Sequence, residues 1–208
     1  MRLDDPLDDI FASASHVRLL RALFALPIDM GRSGRDLARR AGVSHPRATQ
    51  VLATLSEQGL VAVERLPRTD LYRLNRRHAL IEPLGQLFEL EPKLKFELLS
   101  LVATELKARR LPVTEARIFG SAARSSMAPE SDVDLALVTS RQSVPAVEAA
   151  AQEIAETVRE RFGTRLNVLV GAPSIEKLRK SPQPRSGVWQ AIEREGIDVF
   201  AASKSAGQ

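Results

Sequence analysis

One short stretch of the chain, from Phe119 to Val138, constrains the fold more than any other. It contains the pair Gly120-Ser121, followed after ten residues by Asp132-Val133-Asp134. A glycine-serine turn can direct backbone N–H groups and a hydroxyl toward phosphate oxygens. Two carboxylates at positions i and i+2 of a strand point to the same face, where they can hold Mg²⁺ against a triphosphate. The stretch therefore predicts a strand, a turn and a second strand that together form a nucleotide-transfer site.

The composition excludes several other classes of protein. The chain has 208 residues, of which 44% are hydrophobic and 27% charged, with no cysteine and three histidines. Disulfides and thiolate zinc sites are thus excluded, and a histidine-based metal site is not expected. No apolar run approaches the roughly 18 residues of a membrane span. The acidic segment from Met1 to Asp9 lacks the apolar core of a signal peptide. We expect a cytoplasmic protein with no membrane partner.

The last part of the chain alternates strand and helix patterns, which predicts a small domain with a mixed sheet over residues 112–202. The expected strands are residues 116–119, 133–139 and 165–170, and the expected helices are residues 144–162, about 175–180 and 188–195. Residues 197–200 would end the fold. The small polar tail, residues 203–208, is expected to be disordered.

The stretch that holds the Gly-Ser pair and the aspartates resembles the signature of the polymerase-beta-like nucleotidyltransferases. More narrowly, it resembles the minimal-nucleotidyltransferase group that includes toxin–antitoxin antitoxins. The resemblance lies in the Gly-Ser pair, an arginine three residues later, the ten-residue gap and the Ser-Asp-Val-Asp-Leu run. It implies that Gly120, Ser121 and Arg124 bind the phosphates of a nucleoside triphosphate. It also implies that Asp132 and Asp134 are the catalytic carboxylates that carry Mg²⁺.

Active members of this family usually bring a third carboxylate from the next strand, which completes the metal site and helps to deprotonate the attacking hydroxyl. The corresponding strand here, Arg165 to Val170, contains no acid and has Asn167 at that position. An amide oxygen can ligate a metal weakly, but it cannot take a proton at neutral pH. General-base catalysis is worth about 10²- to 10⁴-fold in rate. The sequence therefore predicts nucleotide and single-metal binding with weak or absent transfer, and leaves open whether the domain is an enzyme.

The segment between Ser15 and Arg77 is strongly basic. Between Ser15 and Arg77 there are twelve arginines and five acidic residues, an excess of seven positive charges, whereas the whole chain has a net charge of +4. A basic segment of this kind suits a polyanionic partner. The alternative is a solvated, arginine-rich surface with no partner.

The pattern of this basic segment predicts the order helix, helix, turn, helix, hairpin. Apolar spacing indicates helix from about residue 7 to 26, and then a short helix that stops at Gly42 in a left-handed turn. Ser44 is expected to cap the next helix, whose buried stripe would be Ala48, Val51, Leu52 and Leu55. Strands at residues 60–66 and 71–74 would follow, around a turn at residues 67–70.

Residues 7 to 75 resemble a winged helix-turn-helix DNA-binding domain of the bacterial-repressor kind. The resemblance rests on the Leu-Ala-Arg-Arg-Ala-Gly-Val-Ser turn, the Leu-Ser-Glu-Gln-Gly-Leu-Val helix exit and the short hairpin. It implies that the helix beginning at Ser44 lies in the major groove of double-stranded DNA. The implied DNA-binding residues are Ser44, His45, Arg47, Thr49 and Gln50 of that helix, with Arg68 and Arg73 near phosphates. Winged helices also serve as protein-docking modules, so that alternative stays open.

The expected fold class is α+β: a winged helix-turn-helix domain at residues 1–76, connecting helices at 77–111 and a nucleotidyltransferase-like domain at 112–202. The connecting segment is mostly helical between Leu80 and Leu106, with an apolar stripe interrupted at Pro83 and Pro92. A helix with such a stripe often pairs with a second copy, which predicts a homodimer. Packing against its own domains is the alternative.

Three functions are compatible with these features. The first is a DNA-binding transcriptional regulator whose nucleotidyltransferase-like domain binds nucleotide and Mg²⁺ with weak or no transfer. The second is an active enzyme that transfers a nucleoside monophosphate to a protein, a nucleic acid or a small molecule. The third is an antitoxin-type partner of a toxin. The missing third carboxylate disfavours the second and the basic winged helix favours the first over the third, so the regulator is the main prediction.

Overall fold

The computed structural model describes residues 5–124, 131–172 and 187–203. The chain divides into two compact units, residues 1–92 and residues 93–208. The division falls inside the segment that was predicted to connect two domains. The helix expected around residues 175–180 and the tail beyond residue 203 lie outside the described residues.

The first unit combines helices with a three-stranded antiparallel sheet. The helices are α1 (Pro6–Ile10), α2 (Ala14–Phe24), α3 (Gly34–Ala41), α4 (His45–Glu57) and α5 (Ile81–Leu90), and the strands are β1 (Arg32–Ser33), β2 (Val61–Leu66) and β3 (Thr69–Leu74). The strand order is β1-β3-β2. The single helical run expected from residue 7 to 26 is thus two helices. Strand β1 has only two residues, so its pattern is too short to predict it.

The turn between α3 and α4 forms for local reasons. The Ser33 hydroxyl accepts a hydrogen bond from the backbone N–H of Asp36 at 3.2 Å, which caps the start of α3. Helix α3 stops at Gly42, whose φ of 63° is left-handed. Ser44 occupies the N-cap position of α4 as expected, but its hydroxyl makes no capping hydrogen bond. The N-cap position predicted for Ser44 is therefore confirmed, but its side chain does not cap the helix.

The buried stripe predicted for α4 is confirmed. Ala48, Val51, Leu52 and Leu55 are at most 1% exposed. They pack in the core of the first unit with residues from α2 and α3 and with Leu60, Val61 and Leu74 of the sheet region. Because this side of α4 is buried, its opposite side faces outward along its whole length.

The second unit is built on a four-stranded mixed sheet. Its helices are α6 (Leu94–Ala108), α7 (Gly120–Ala123), α8 (Val144–Phe162), α9 (Val188–Glu195) and α10 (Val199–Ala202), and its strands are β4 (Val113–Phe119), β5 (Val133–Thr139), β6 (Leu166–Gly171) and β7 (Ile197–Asp198). The order is β6-β5-β4-β7, with β5 and β6 parallel and the other pairs antiparallel. The α+β class and the small mixed sheet are confirmed.

Helix α6 belongs to the core of the second unit. Leu98, Leu99, Val102, Ala103 and Leu106 are at most 8% exposed and pack with side chains of β4, β5, α8 and α10. Much of the apolar stripe that suggested a homodimer is therefore buried within its own unit. Leu94, at the start of the same helix, is 43% exposed.

In the part of the chain that the structure describes, no helix is both long enough and apolar enough to cross a bilayer.

Candidate functional site

The turn after β4 brings the Gly-Ser pair against the second aspartate. Phe119, the last residue of β4, pairs with Asp134 of β5. The next residue, Gly120, has a φ of 69°, which residues other than glycine rarely adopt. A Cβ at this position would also overlap the carboxylate of Asp134. The backbone conformation thus favours glycine, and the absence of a side chain lets the turn lie directly against the carboxylate.

The two aspartates lie at the start of β5, as predicted. Val133 between them is 5% exposed and donates its backbone N–H to the carbonyl of Arg165 at 2.9 Å. Because side chains alternate along a strand, the flanking aspartates belong to the opposite face from Val133. Asp132 is exposed and Asp134 is half-buried.

Asn167 occupies the position next to Asp134 on the neighbouring strand. The parallel register of β5 and β6 pairs Asp134 with Asn167. The amide Nδ2 of Asn167 donates to Asp134 Oδ1 at 3.1 Å. The place where a third carboxylate was expected therefore holds an amide that occupies one oxygen of the aspartate.

This donor set fits a single hard cation better than two. Asp132 and Asp134 offer carboxylate oxygens, which Mg²⁺ prefers, and an amide oxygen of Asn167 would be available only if the amide turned over. Among the described residues no group of three or more histidine, cysteine, aspartate or glutamate side chains could hold a metal ion. A cation bound here would need phosphate oxygens to complete its coordination.

Arg124, the third residue predicted to bind phosphate, already has an acidic partner. It follows α7 and lies 3.5 Å from the carboxylate of Glu195 at the end of α9. The neighbouring Arg194, and to a lesser extent Arg124, hold the pKa of Glu195 below its usual range. Arg124 must exchange this carboxylate for phosphate if it is to bind a nucleotide. Sequence reasoning missed Glu195, since 71 residues separate the pair.

Sequence reasoning also missed a lysine next to the same turn. The ammonium group of Lys95, near the start of α6, donates to the carbonyl oxygen of Ala122 in α7 at 2.7 Å. No motif marks this lysine, because it precedes Ala122 by 27 residues.

A second candidate site lies on the first unit, beside α4 and the β2–β3 hairpin. A groove of about 520 Å³ runs between the start of α3, the outer side of α4 and the hairpin. Its lining residues are Ser33, Gly34, Arg35, His45, Thr49, Arg68, Thr69, Asp70 and Tyr72. Three of these, His45, Thr49 and Arg68, were predicted from the sequence to contact DNA. The groove adds Arg35, an exposed residue in the first turn of α3 that no sequence pattern had marked.

The other residues predicted to contact DNA differ in their surroundings. Gln50 and Arg73 are exposed, as is Ser44. Arg47 is instead half-buried and donates to the hydroxyl of Ser13 at 2.9 Å and to Gln50 Oε1 at 3.4 Å. Its guanidinium is thus held toward the start of α2, and a base contact would require it to leave Ser13.

Part of the arginine excess is neutralised within the unit. Asp36 of α3 forms ion pairs with Arg32 at 3.6 Å, Arg39 at 2.6 Å and Arg40 at 3.1 Å. Hydrogen bonds from Arg40 and then Arg39 hold the pKa of Asp36 below its usual range. The two arginines that line the groove, Arg35 and Arg68, have no acidic partner in the described part of the chain. They are therefore more available to an external anion than the arginines that pair with Asp36.

The mixed α+β fold of the second unit is consistent with a nucleotidyltransferase domain, and a comparison with protein families supports this. Residues 99–186, less than half of the chain, match the nucleotidyltransferase domain family. The chain therefore contains a nucleotidyltransferase domain in its second half. No match was found among curated proteins.

One solved structure, described as the crystal structure of a toxin–antitoxin with AMP-PNP, is similar over 51% of this chain and 82% of that chain. The TM-score is 0.33 and the sequence identity is 12%. A similarity at this level carries no conclusion about fold or function.

Proposed function

We propose that this protein is a DNA-binding transcriptional regulator whose nucleotidyltransferase domain binds a nucleoside triphosphate with Mg²⁺. Transfer of the nucleoside monophosphate, with release of pyrophosphate, would be weak or absent. The observation that carries the proposal is the pairing of Asp134 with Asn167. It favours a regulator over an enzyme, because the group that would take the proton from an attacking hydroxyl is an amide.

The nucleotide would bind at the turn after β4. Gly120 and Ser121 would contact its phosphates, and Arg124 would join them after leaving Glu195. Asp132 and Asp134 would hold Mg²⁺, which would neutralise phosphate charge. With Asn167 hydrogen-bonded to Asp134, these residues bind and orient a triphosphate without a base to activate an acceptor.

DNA binding is supported by the groove beside α4. It combines Arg35 and Arg68 with polar side chains at the outer side of a helix that follows a tight turn. Phosphate oxygens accept hydrogen bonds from arginine and hydroxyl groups. His45 and Thr49 would contact base edges in the major groove. The first unit would thus be a winged helix-turn-helix domain in which α4 is the recognition helix and the hairpin is the wing.

A gel shift with the region upstream of the protein's own gene tests DNA binding. The double substitution Arg35→Ala and Arg68→Ala is expected to weaken the shift strongly. Arg159→Ala, which removes the same type of charge from an exposed position on α8, is the control and should leave the shift unchanged. An equal shift for wild type and double variant would exclude the groove as the DNA interface.

Incubation with labelled ATP, CTP or GTP, Mg²⁺ or Mn²⁺ and cell extract tests the enzymatic alternative, transfer of a nucleoside monophosphate to a protein, nucleic acid or small molecule. We expect nucleotide to bind without robust labelling of any acceptor. Strong labelling that disappears in Asp132→Ala would instead establish an active nucleotidyltransferase.

Two further predictions concern partners. A homodimer and an antitoxin-type partnership with a toxin are both compatible with the proposed domains. Leu87 and Leu90 on the outer side of α5 are 55% and 41% exposed, which leaves apolar surface for a protein partner.

A further inference from the structure

Lys95 lies at a position in its helix that is unfavourable for a positive charge. It is the second residue of α6, and the first turn of a helix disfavours a positive charge because of the helix dipole. The hydrogen bond of its ammonium group with the Ala122 carbonyl at 2.7 Å offsets this cost. Lys95 also precedes residue 99, where the match to the nucleotidyltransferase family begins.

The carbonyl that Lys95 binds belongs to a helix too short to support itself. Helix α7 has four residues. The backbone N–H of Arg124, the residue after the helix, donates to the Gly120 carbonyl at 3.3 Å. The carbonyls at the end of a helix lack partners within the helix. Ala122 is 5% exposed, so its carbonyl is poorly placed to find water. Lys95 satisfies this carbonyl and ties α7 to α6.

The position of α7 determines where the candidate phosphate donors point. Gly120 is its first residue, is held in a left-handed conformation and lies against Asp134. A shift of α7 would therefore move the N–H groups of Gly120 and Ser121 relative to both aspartates.

We infer that Lys95 is a positioning residue for nucleotide binding: through Ala122 it holds the Gly120–Ser121 turn in the orientation that receives phosphate. This inference rests on the proposed nucleotide site. The role requires a hydrogen-bond donor at this position rather than a charge facing the nucleotide.

Three variants of the full-length protein test the inference. Lys95→Met removes the donor and the charge, and Lys95→Gln removes the charge but keeps a donor. Lys93→Met removes a lysine two residues earlier and is the control. The first measurement is amide hydrogen exchange of the peptide that contains residues 120–124, without nucleotide. The second is the affinity for fluorescently labelled ATP with Mg²⁺.

We expect exchange in this peptide to be about tenfold faster, and ATP affinity about tenfold weaker, in Lys95→Met than in wild type. Lys95→Gln should recover part of both losses, and Lys93→Met should resemble wild type. Unchanged exchange in Lys95→Met would overturn the inference. Equal loss of ATP affinity in the Met and Gln variants without faster exchange would also overturn it, in favour of a direct charge contact with phosphate.

The two measurements separate this inference from the proposed function. If wild-type protein does not bind labelled ATP, the proposed nucleotide site fails. The exchange measurement still decides whether Lys95 holds the turn.

Discussion

At the scale of single residues, Asn167 has the largest consequence for function. A carboxylate at this position would add negative charge beside Asp134 and could accept a proton, whereas the amide donates to Asp134. The difference amounts to a single oxygen replaced by nitrogen. In the proposed function, this difference would separate a site that only binds nucleotide from one that also activates an acceptor.

The substitution Asn167→Asp tests this account. It should strengthen Mn²⁺ or Mg²⁺ binding with nucleotide, and it should raise transfer activity by about 10²-fold or more because a general base is restored. Labelled-nucleotide transfer and metal titration measure the two effects. Asn167→Ser, which adds neither charge nor a base, serves as the control. No gain in Asn167→Asp, with fold and nucleotide binding intact, would contradict the idea that this position limits the reaction.

His16 provides a prediction about pH. It is 5% exposed, and its ring Nδ1 lies 2.9 Å from the Ser13 hydroxyl that also accepts from Arg47. Burial, and then the charge of Arg47, lower the pKa of His16 from its ordinary value of 6.5. The unfolded chain thus takes up a proton at a higher pH than the folded protein does. Neutral His16 therefore contributes fully to the free energy of unfolding above pH 6.5. This contribution is lost as the pH falls through the lower pKa that His16 has in the folded protein.

Thermal unfolding between pH 7.5 and pH 5 checks this prediction. Wild type should lose more stability over this range than His16→Gln, which keeps hydrogen-bonding capacity but does not titrate. The other histidines, His45 and His78, are present in both proteins, so their contributions cancel in the comparison. Parallel pH profiles for the two proteins would show that His16 does not sense pH.

At the scale of elements, α6 differs most from what its pattern suggested. Its apolar residues were compatible with a connecting helix that pairs with a second copy. In the structure they lie in the core of the second unit, next to α8 and α10, and Leu106 is 2% exposed. A single-sequence pattern shows that a helix side is apolar, but it does not show which surface will cover that side.

Alanine substitutions of two leucines on α6 test how this helix packs. Leu106→Ala should lower the stability of the second unit by about 2–5 kcal/mol, because it leaves a cavity in the core. Leu94→Ala, on the same helix but 43% exposed, should change it by about 0.5 kcal/mol or less. Denaturant unfolding gives both values. A large loss for Leu94→Ala that depends on protein concentration would instead support the predicted homodimer.

At the scale of the whole molecule, the residues proposed to bind DNA and those proposed to bind nucleotide lie in different units. The basic segment between Ser15 and Arg77 lies in the first unit, and the nucleotidyltransferase match, the aspartates and the Gly-Ser turn all lie after residue 92. We therefore expect DNA binding and nucleotide binding to be lost through different substitutions.

The salt dependence of DNA binding tests this division. Each phosphate contact contributes about 0.9 to the slope of log affinity against log salt concentration. Arg35→Ala and Arg68→Ala should each lower this slope by about 0.9 and leave ATP affinity unchanged. Asp132→Ala should weaken ATP binding with Mg²⁺ and leave the slope unchanged. A slope that falls equally in Asp132→Ala would contradict the division.

The sequence by itself determined the parts whose chemistry is local. The Gly-Ser turn, the Asp-Val-Asp strand, the buried stripe of α4 and the long helix α8 follow from spacing within 20 residues or fewer, because dihedral preferences and side-chain periodicity act over that range. The match of Asn167 to the third carboxylate position also came from the sequence, through the order of the strands.

Only the tertiary structure decided which side chains meet across long separations. Asn167 contacts Asp134 over 33 residues, Lys95 contacts Ala122 over 27, and Arg47 contacts Ser13 over 34. The packing of α6 and the partner of Arg124 belong to the same category. These contacts depend on strand register and helix packing, which are set by the burial of the whole core and not by any local pattern.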